Sequence, residues 1–331
     1  MINYCTHIDI PKSVFNITYR DDVMFLGSCF AGNIGAKMTE YRFNVSVNPF
    51  GALYNPFSLA AGFRRLLEPT PFNAEDLLHH NGLYHSFMHH GDFSDVSEAG
   101  CVSKINESLS SAAKRLRNAS YLVVTFGTSY VYCLKSSGQV VANCHKLPAA
   151  QFSHELLTVD MIVEEWSDLL KRIKRENPLL KVIFTVSPIR HWKDGAHFNQ
   201  ISKATLLLAE HALVEQNPDY ISYFPAYELM LDELRDYRFY AEDMLHPSTV
   251  AVDYIWERFY NTYMNAETKK ILNEVGIINK ALNHRPLNPS VDTYKVFLMQ
   301  TLLKIQSLQS KCPYICLSIE EDKLKSKLRN I

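Results

Sequence analysis

Two rhythms alternate along the chain. Short runs rich in β-branched and aromatic residues stand at 23–26 (VMFL), 43–47 (FNVSV), 121–126 (YLVVTF), 181–186 (KVIFTV) and 220–224 (YISYF), and each has the length and composition of a buried strand. Between them, 105–117 (INESLSSAAKRLR), 160–175 (DMIVEEWSDLLKRIKR) and 202–216 (SKATLLLAEHALVEQ) repeat apolar residues every three or four positions, the period of a helix with one buried face. Strand and helix in turn predict an α/β fold, a three-layer α/β/α sandwich around a mainly parallel five-stranded sheet. Parallel neighbours need crossover helices, and these cover both faces.

Two stretches depart from that rhythm. Residues 131–143 (VYCLKSSGQVVAN) alternate apolar and polar around Ser136-Ser137-Gly138, which predicts a β-hairpin inserted after the third strand. From about residue 265 the pattern turns helical, at 267–275 and 290–308, broken by the polar, proline-containing 283–289 (NHRPLNP); a strand-like run follows at 314–318, then a charged end (EEDKLKSKLRN) expected to fray. The expected organisation is one α/β domain over 1–264 and a helical extension, 265–331, packed on it.

Charge and composition narrow the class. Lys+Arg 34 against Asp+Glu 35 leaves a net charge of -1 with pI ≈ 6.9, without the basic footprint of a dedicated nucleic-acid binder. No apolar run is long enough to span a membrane. Seven Cys without C-x-x-C spacing suggest neither a disulfide framework nor a ribbon-type zinc site. No G-x-x-x-x-G-K-[S/T] or paired acidic metal site points to phosphoryl transfer. Residues 1–20 lack the basic and apolar regions of a secretory leader, so a cytoplasmic placement is expected, with no metal and no cofactor.

In an open α/β sheet, ligands bind beyond the carboxyl ends of the strands. The segments there are GSCFAGN, NPFGALYNP, GTSY, SPIRHW and PAYE. Ser28 directly follows the first strand, where its hydroxyl stands at the sheet's active edge; a Ser in that position also caps the helix that follows. Asp243 and His246, three residues apart before a further helical pattern, can meet on one side of a turn. The carboxylate then holds one imidazole tautomer and frees the other nitrogen as a base, unless the pair is simply a charged helix start.

Taken together, Gly27-Ser28-Cys29-Phe30-Ala31 and Asp243-Met244-Leu245-His246-Pro247 resemble the GSCFA family, a branch of the SGNH/GDSL-type hydrolases. Further family-like blocks are Asn48-Pro49-Phe50-Gly51 with Tyr54-Asn55-Pro56, Thr125 to Ser129, Asn143-Cys144-His145-Lys146 and Thr185 to Arg190, so the resemblance spans about residues 20–260. It implies a flavodoxin-like sandwich and a metal-independent serine esterase or acyltransferase. Ser28 would be its nucleophile, His246 its base and Asp243 the orienter, and a small ester or acylated carbohydrate its substrate. A fold retained as a binding scaffold with a degraded site is the competing reading.

The resemblance weakens at the oxyanion hole. Gly51 stands where SGNH enzymes usually place a Gly, but Gly127-Thr128-Ser129 stands where those enzymes usually have a Gly-x-Asn-Asp block. The donors expected instead are the Ser28 and Gly51 amides, the Thr128 or Ser129 hydroxyl and the Asn143 amide. Substrate contacts are expected from His85 and Ser86 in the histidine-dense 79–90, from His145, and from Arg190 and His191 after the fourth strand. That histidine cluster has no carboxylate pattern to make it a metal site. Cys29 is an alternative nucleophile; successive residues after a strand point differently, so only one of Ser28 and Cys29 can face His246, and Ser28 is preferred. Tyr237, Phe239 and Tyr240 are candidates to wall a pocket.

Overall fold

The computed structural model describes residues 6–284 and 292–329. Five strands, β1 (Asp22–Gly27), β2 (Asn44–Val47), β3 (Tyr121–Phe126), β4 (Lys181–Val186) and β5 (Ile221–Tyr223), form one wholly parallel sheet in the order β5-β4-β3-β1-β2. All five coincide with the runs read from the sequence. The chain reverses its direction of travel across the sheet between β1 and β3, and that reversal opens a crevice at the carboxyl ends of these two strands.

Alternation along each strand sorts the core into two layers. Val23 and Phe25 of β1, with Val123 and Ile183, pack against α1 (Cys29–Glu40) and α6 (Thr249–Tyr263). Their neighbours Met24 and Leu26, with Leu122, Val124, Phe126 and Phe184, face α2 (Pro56–Leu67), α3 (Glu98–Asn118), α4 (Val159–Glu176) and α5 (Gly195–Gln216). A period of two delivers successive side chains to opposite faces, and that alone makes the sandwich three layers thick.

The insertion after β3 is larger than a hairpin. Tyr130–Leu134 pairs with Val140–Val141, as expected, and on its other side with Phe152–Leu156, giving a three-stranded antiparallel sheet. The third strand (FSHEL) is mostly exposed along its length, so it carries no buried-strand signature. A second small hairpin joins Leu78–His80 to Leu83–His85 through Asn81 and Gly82, both at positive φ, the two-residue turn that an Asn-Gly pair favours.

The C-terminal helices α7 (Ala266–Asn283), α8 (Asp292–Lys311) and α9 (Ser318–Arg329) pack on the α1 side of the sheet. Of the expected break at 283–289, residues 285–289 lie outside the described residues. Two expectations fail here. Residues 314–318 form no strand; Ile315 and Leu317 instead drop from a turn into the core. The charged end is an ordered helix, because Leu324 is buried and Glu320, buried as well, pairs with Arg42 next to β2.

Candidate active site

The β1–α1 junction fixes the direction of each residue in the first motif. Gly27 ends β1 so close to β3 that a Cβ would lie 2.4 Å from the Thr125 carbonyl oxygen. Ser28 is the N-cap of α1: its Oγ accepts from the Phe30 amide at 3.2 Å and its own amide donates to Thr125 O. It is 1% exposed, and among the described residues no hydrogen bond joins it to His246. Ser28 thus caps α1.

Cys29, the first residue of α1, points the other way. Its Sγ lies 3.7 Å from His246 Nε2. His246 Nδ1 meets Asp243 Oδ2 at 2.5 Å, and Asp243 Oδ1 accepts the Leu245 and His246 amides at 2.9 Å each. Those two amides, His246's first, and the imidazole hold the Asp243 carboxyl down at about 2. Asp243 and His246 thus meet as the sequence spacing proposes, and the side chain they face is the thiol rather than the hydroxyl. Burial pushes the Cys29 thiol up, opposed by the Cys29 and Phe30 amides at the helix start and by Lys203. The resting group is a thiol that needs a base, and His246 is in place to be one.

Cys29 and His246 share a cavity of about 560 Å³ with Tyr54, Asn55, His90, Thr128, Asn143, Arg190 and His191. The inserted sheet supplies one wall, where the His154 ring stacks on Tyr130 and Tyr132 at centroid distances of 4.6 and 4.4 Å. Two amide side chains are pre-oriented here. Asn55 Oδ1 accepts the Ser58 amide as the cap of α2, and Asn143 Oδ1 accepts the His145 amide. With each oxygen engaged, each Nδ2 is the end left for the cavity.

Most of the other expected donors are spent. The Gly51 amide donates to Asn48 O at 2.7 Å, and the residue, at φ +74, packs so that a Cβ would strike His90; it shapes a turn. The Gly127 and Thr128 amides both donate to Tyr54 O. Ser129 is fully buried and tied to Ser202; Thr128 lines the cavity, with its hydroxyl shared between Ser202 and the Tyr130 amide. Of the proposed set, the donors at the cavity are the Asn143 amide and the Thr128 hydroxyl, which accepts the Tyr130 amide and shares one bond with Ser202. Asn55, from the NPFGALYNP segment after β2, joins them.

The histidine cluster proves largely structural. His85 is buried, with its nitrogens on Ser94 Oγ and His80 O, and it stacks on His145, whose Nε2 bonds Ser86 O. Ser86 Oγ bonds His89 Nδ1. His85, Ser86 and His145 therefore brace the cavity's support and do not line it; His90 from the same cluster does. Arg190 and His191 reach the cavity as expected, and burial holds His191 near 3, hence neutral. Tyr237 and Tyr240 wall an adjoining cavity, whereas Phe239 packs on the core.

Beneath the site lies a residue with no sequence signal, Lys203 of α5. It is completely buried, and its Nζ donates to Gly127 O at 2.6 Å and Ser187 O at 2.7 Å, clamping the ends of β3 and β4 together. Burial draws it down to about 7, with Glu210 opposing that shift.

No curated protein matches the chain. Among solved structures, it is similar to an acetyl xylan esterase from the rumen bacterium Butyrivibrio proteoclasticus, at 11% identity and a TM-score of 0.37. The superposition covers 78% of this chain and 66% of that one, so the chain spans just under two thirds of that relative's length. The C-terminal domain of GSCFA domain proteins matches residues 275–330. The GSCFA family matches residues 22–259, most of the chain and all of the site just described, and the chain belongs to that family.

Proposed function

We propose that the chain is a thiol-dependent acyl hydrolase or acyltransferase acting on an ester, with Cys29 as nucleophile, His246 as base and Asp243 as orienter. The observation that carries this reading is the contact of His246 Nε2 with Cys29 Sγ, backed by Asp243, while Ser28 Oγ is engaged in capping α1. His246 takes the thiol proton as sulfur attacks the ester carbonyl carbon. The Asn55 and Asn143 amides stabilise the resulting oxyanion; one such donor is typically worth about 10²–10³ in rate. Collapse breaks the bond to the alcohol oxygen, which leaves with the proton from His246. The acyl group is then a thioester on Cys29, and water or a second alcohol, deprotonated by His246, releases it. The flat faces of Tyr130, Tyr132 and His154 suit a ring, which keeps an acylated carbohydrate within the proposed substrate class.

The test compares wild type, Cys29→Ala and Ser28→Ala for turnover of p-nitrophenyl acetate and for labelling by iodoacetamide and a fluorophosphonate. Cys29→Ala is expected to lose at least about 10³-fold in rate, and iodoacetamide to label Cys29 ahead of the other thiols. Fluorophosphonate labelling lost in Ser28→Ala, with turnover kept in Cys29→Ala, would hand the role to Ser28. Neither turnover nor preferential labelling would leave a binding scaffold.

A further inference from the structure

The loop after β4 carries Arg190 to a wall between two cavities. One, of about 560 Å³, holds Cys29 and His246. The other, of about 570 Å³, is lined by Leu231, Tyr237, Tyr240, Asp243 and Met244. Arg190 and Trp192 line both. The Arg190 guanidinium lies over the Trp192 ring at 5.0 Å, and among the described residues it has no hydrogen bond and no ion pair; its Nε is buried without a partner.

Every other cation near this wall is engaged. Arg235 pairs with Asp232 and Arg238 with Asp236, Lys193 donates to the Tyr132 hydroxyl, and Lys203 is spent on two carbonyls. The acids are engaged too: Asp243 holds His246, and Asp236 holds Arg238. What remains is one planar fork of N–H donors, held by its aromatic neighbour and facing open space beside the reacting thiol. A fork of that shape matches a carboxylate or phosphate through paired hydrogen bonds.

His246 fixes which part of the substrate that anion belongs to. The group that gives a proton to the departing alcohol lies on the alcohol's side of the carbonyl, and the second cavity is built on the same 243–245 turn that carries His246. We propose that Arg190 selects substrates whose alcohol portion, as leaving group or as acceptor, bears a carboxylate or phosphate. This rests on the acyl-transfer reading of the site.

The experiment measures kcat/KM for para-acetoxybenzoate, para-acetoxyphenyl phosphate and the neutral methyl para-acetoxybenzoate. It uses wild type, Arg190→Gln and Arg190→Lys in a buffer free of phosphate and carboxylate. The expected wild-type ratio of anionic to neutral substrate is about tenfold or more, with the larger of the two anionic ratios naming the preferred group. Arg190→Gln brings that ratio close to one, and Arg190→Lys restores part of it. A wild-type ratio of one or below, or a ratio unchanged in Arg190→Gln, overturns the proposal. A binding arm keeps this separate from catalysis: calorimetric titration of Cys29→Ala with para-hydroxybenzoate and its methyl ester. Tighter binding of the anion, abolished by adding Arg190→Gln, supports the subsite even where no ester is turned over. Equal binding of acid and ester overturns it.

Discussion

The two sides of the candidate site are built in opposite ways. Cys29 stands on the stem of a buried strand and the first turn of a helix; Gly27 is pressed against Thr125, Ser28 is capped in, and Lys203 ties β3 to β4 beneath them. His246 and Asp243 stand on a surface turn, each with about half of its side chain exposed, held by hydrogen bonds from two backbone amides to Asp243 and by a left-handed Met244. The thiol's direction is thus set by the core and the imidazole's direction by a local turn. Damage to the supports of the first side is expected to appear as lost stability, and damage to the second as lost rate on an intact fold.

The sharpest break is on the inner side. Lys203→Met removes the donor to two buried carbonyls, and an orphaned buried group costs about 1–3 kcal/mol, so urea denaturation is expected to show a loss of about 2–5 kcal/mol. The pH dependence has a definite sign. The folded-state value of Lys203 is lowered to about 7 from 10.5, so folding carries the full cost of a buried charge below about 7 and sheds it as pH rises toward the unfolded value. The stability gap between wild type and Lys203→Met should therefore widen from pH 7 to pH 9; a gap that stays constant over that range would mean that Lys203 keeps its charge in the fold.

Asp243→Asn probes the outer side. It keeps the shape of the turn but removes the charge that fixes the His246 tautomer, and the expected fall in acylation rate is about 10²–10⁴, with an unfolding midpoint close to that of wild type. The depressed value of Asp243, about 2, means that the wild-type carboxylate stays ionised until pH falls through that value. The acid side of the rate profile above pH 3 is then not its titration. A matching loss of stability in Asp243→Asn would erase the contrast between the two sides. The smallest effect is that of Ser28→Ala, which deletes a cap worth about 1 kcal/mol and is expected to lower the unfolding midpoint more clearly than the rate.

Much of this was legible in the sequence because the signals are local. Parallel strands read as apolar β-branched runs, and all five were found. Asp243 and His246 were found because three residues of one turn bring them together. The start of α3 was missed because residues 98–104 (EAGCVSK) carry only Ala99, Cys101 and Val102 as apolar residues, without a three-or-four spacing of large ones. The strand expected at 314–318 was an error of period, since a short apolar run reads alike whether it forms a strand or a turn dropping into the core. The choice between Ser28 and Cys29 depends on which residue is the cap and which begins the helix, a one-residue difference in backbone geometry that composition does not record. Lys203 acquires its role only from carbonyls distant in the chain, whereas Arg190 was legible from its place after the fourth strand and lacked only the cavity around it.

The pentapeptide at the end of β1 has a consequence for how such a protein is recognised. Gly27 is dictated by the strand beside it, Ser28 by the helix it starts, and Phe30 and Ala31 by a core that leaves each 1% exposed. Four of the five letters would thus be demanded by architecture in a protein with no chemistry left. As a diagnostic the motif reports the fold; its third letter, read jointly with a histidine more than two hundred residues away, is the part on which the proposed chemistry rests.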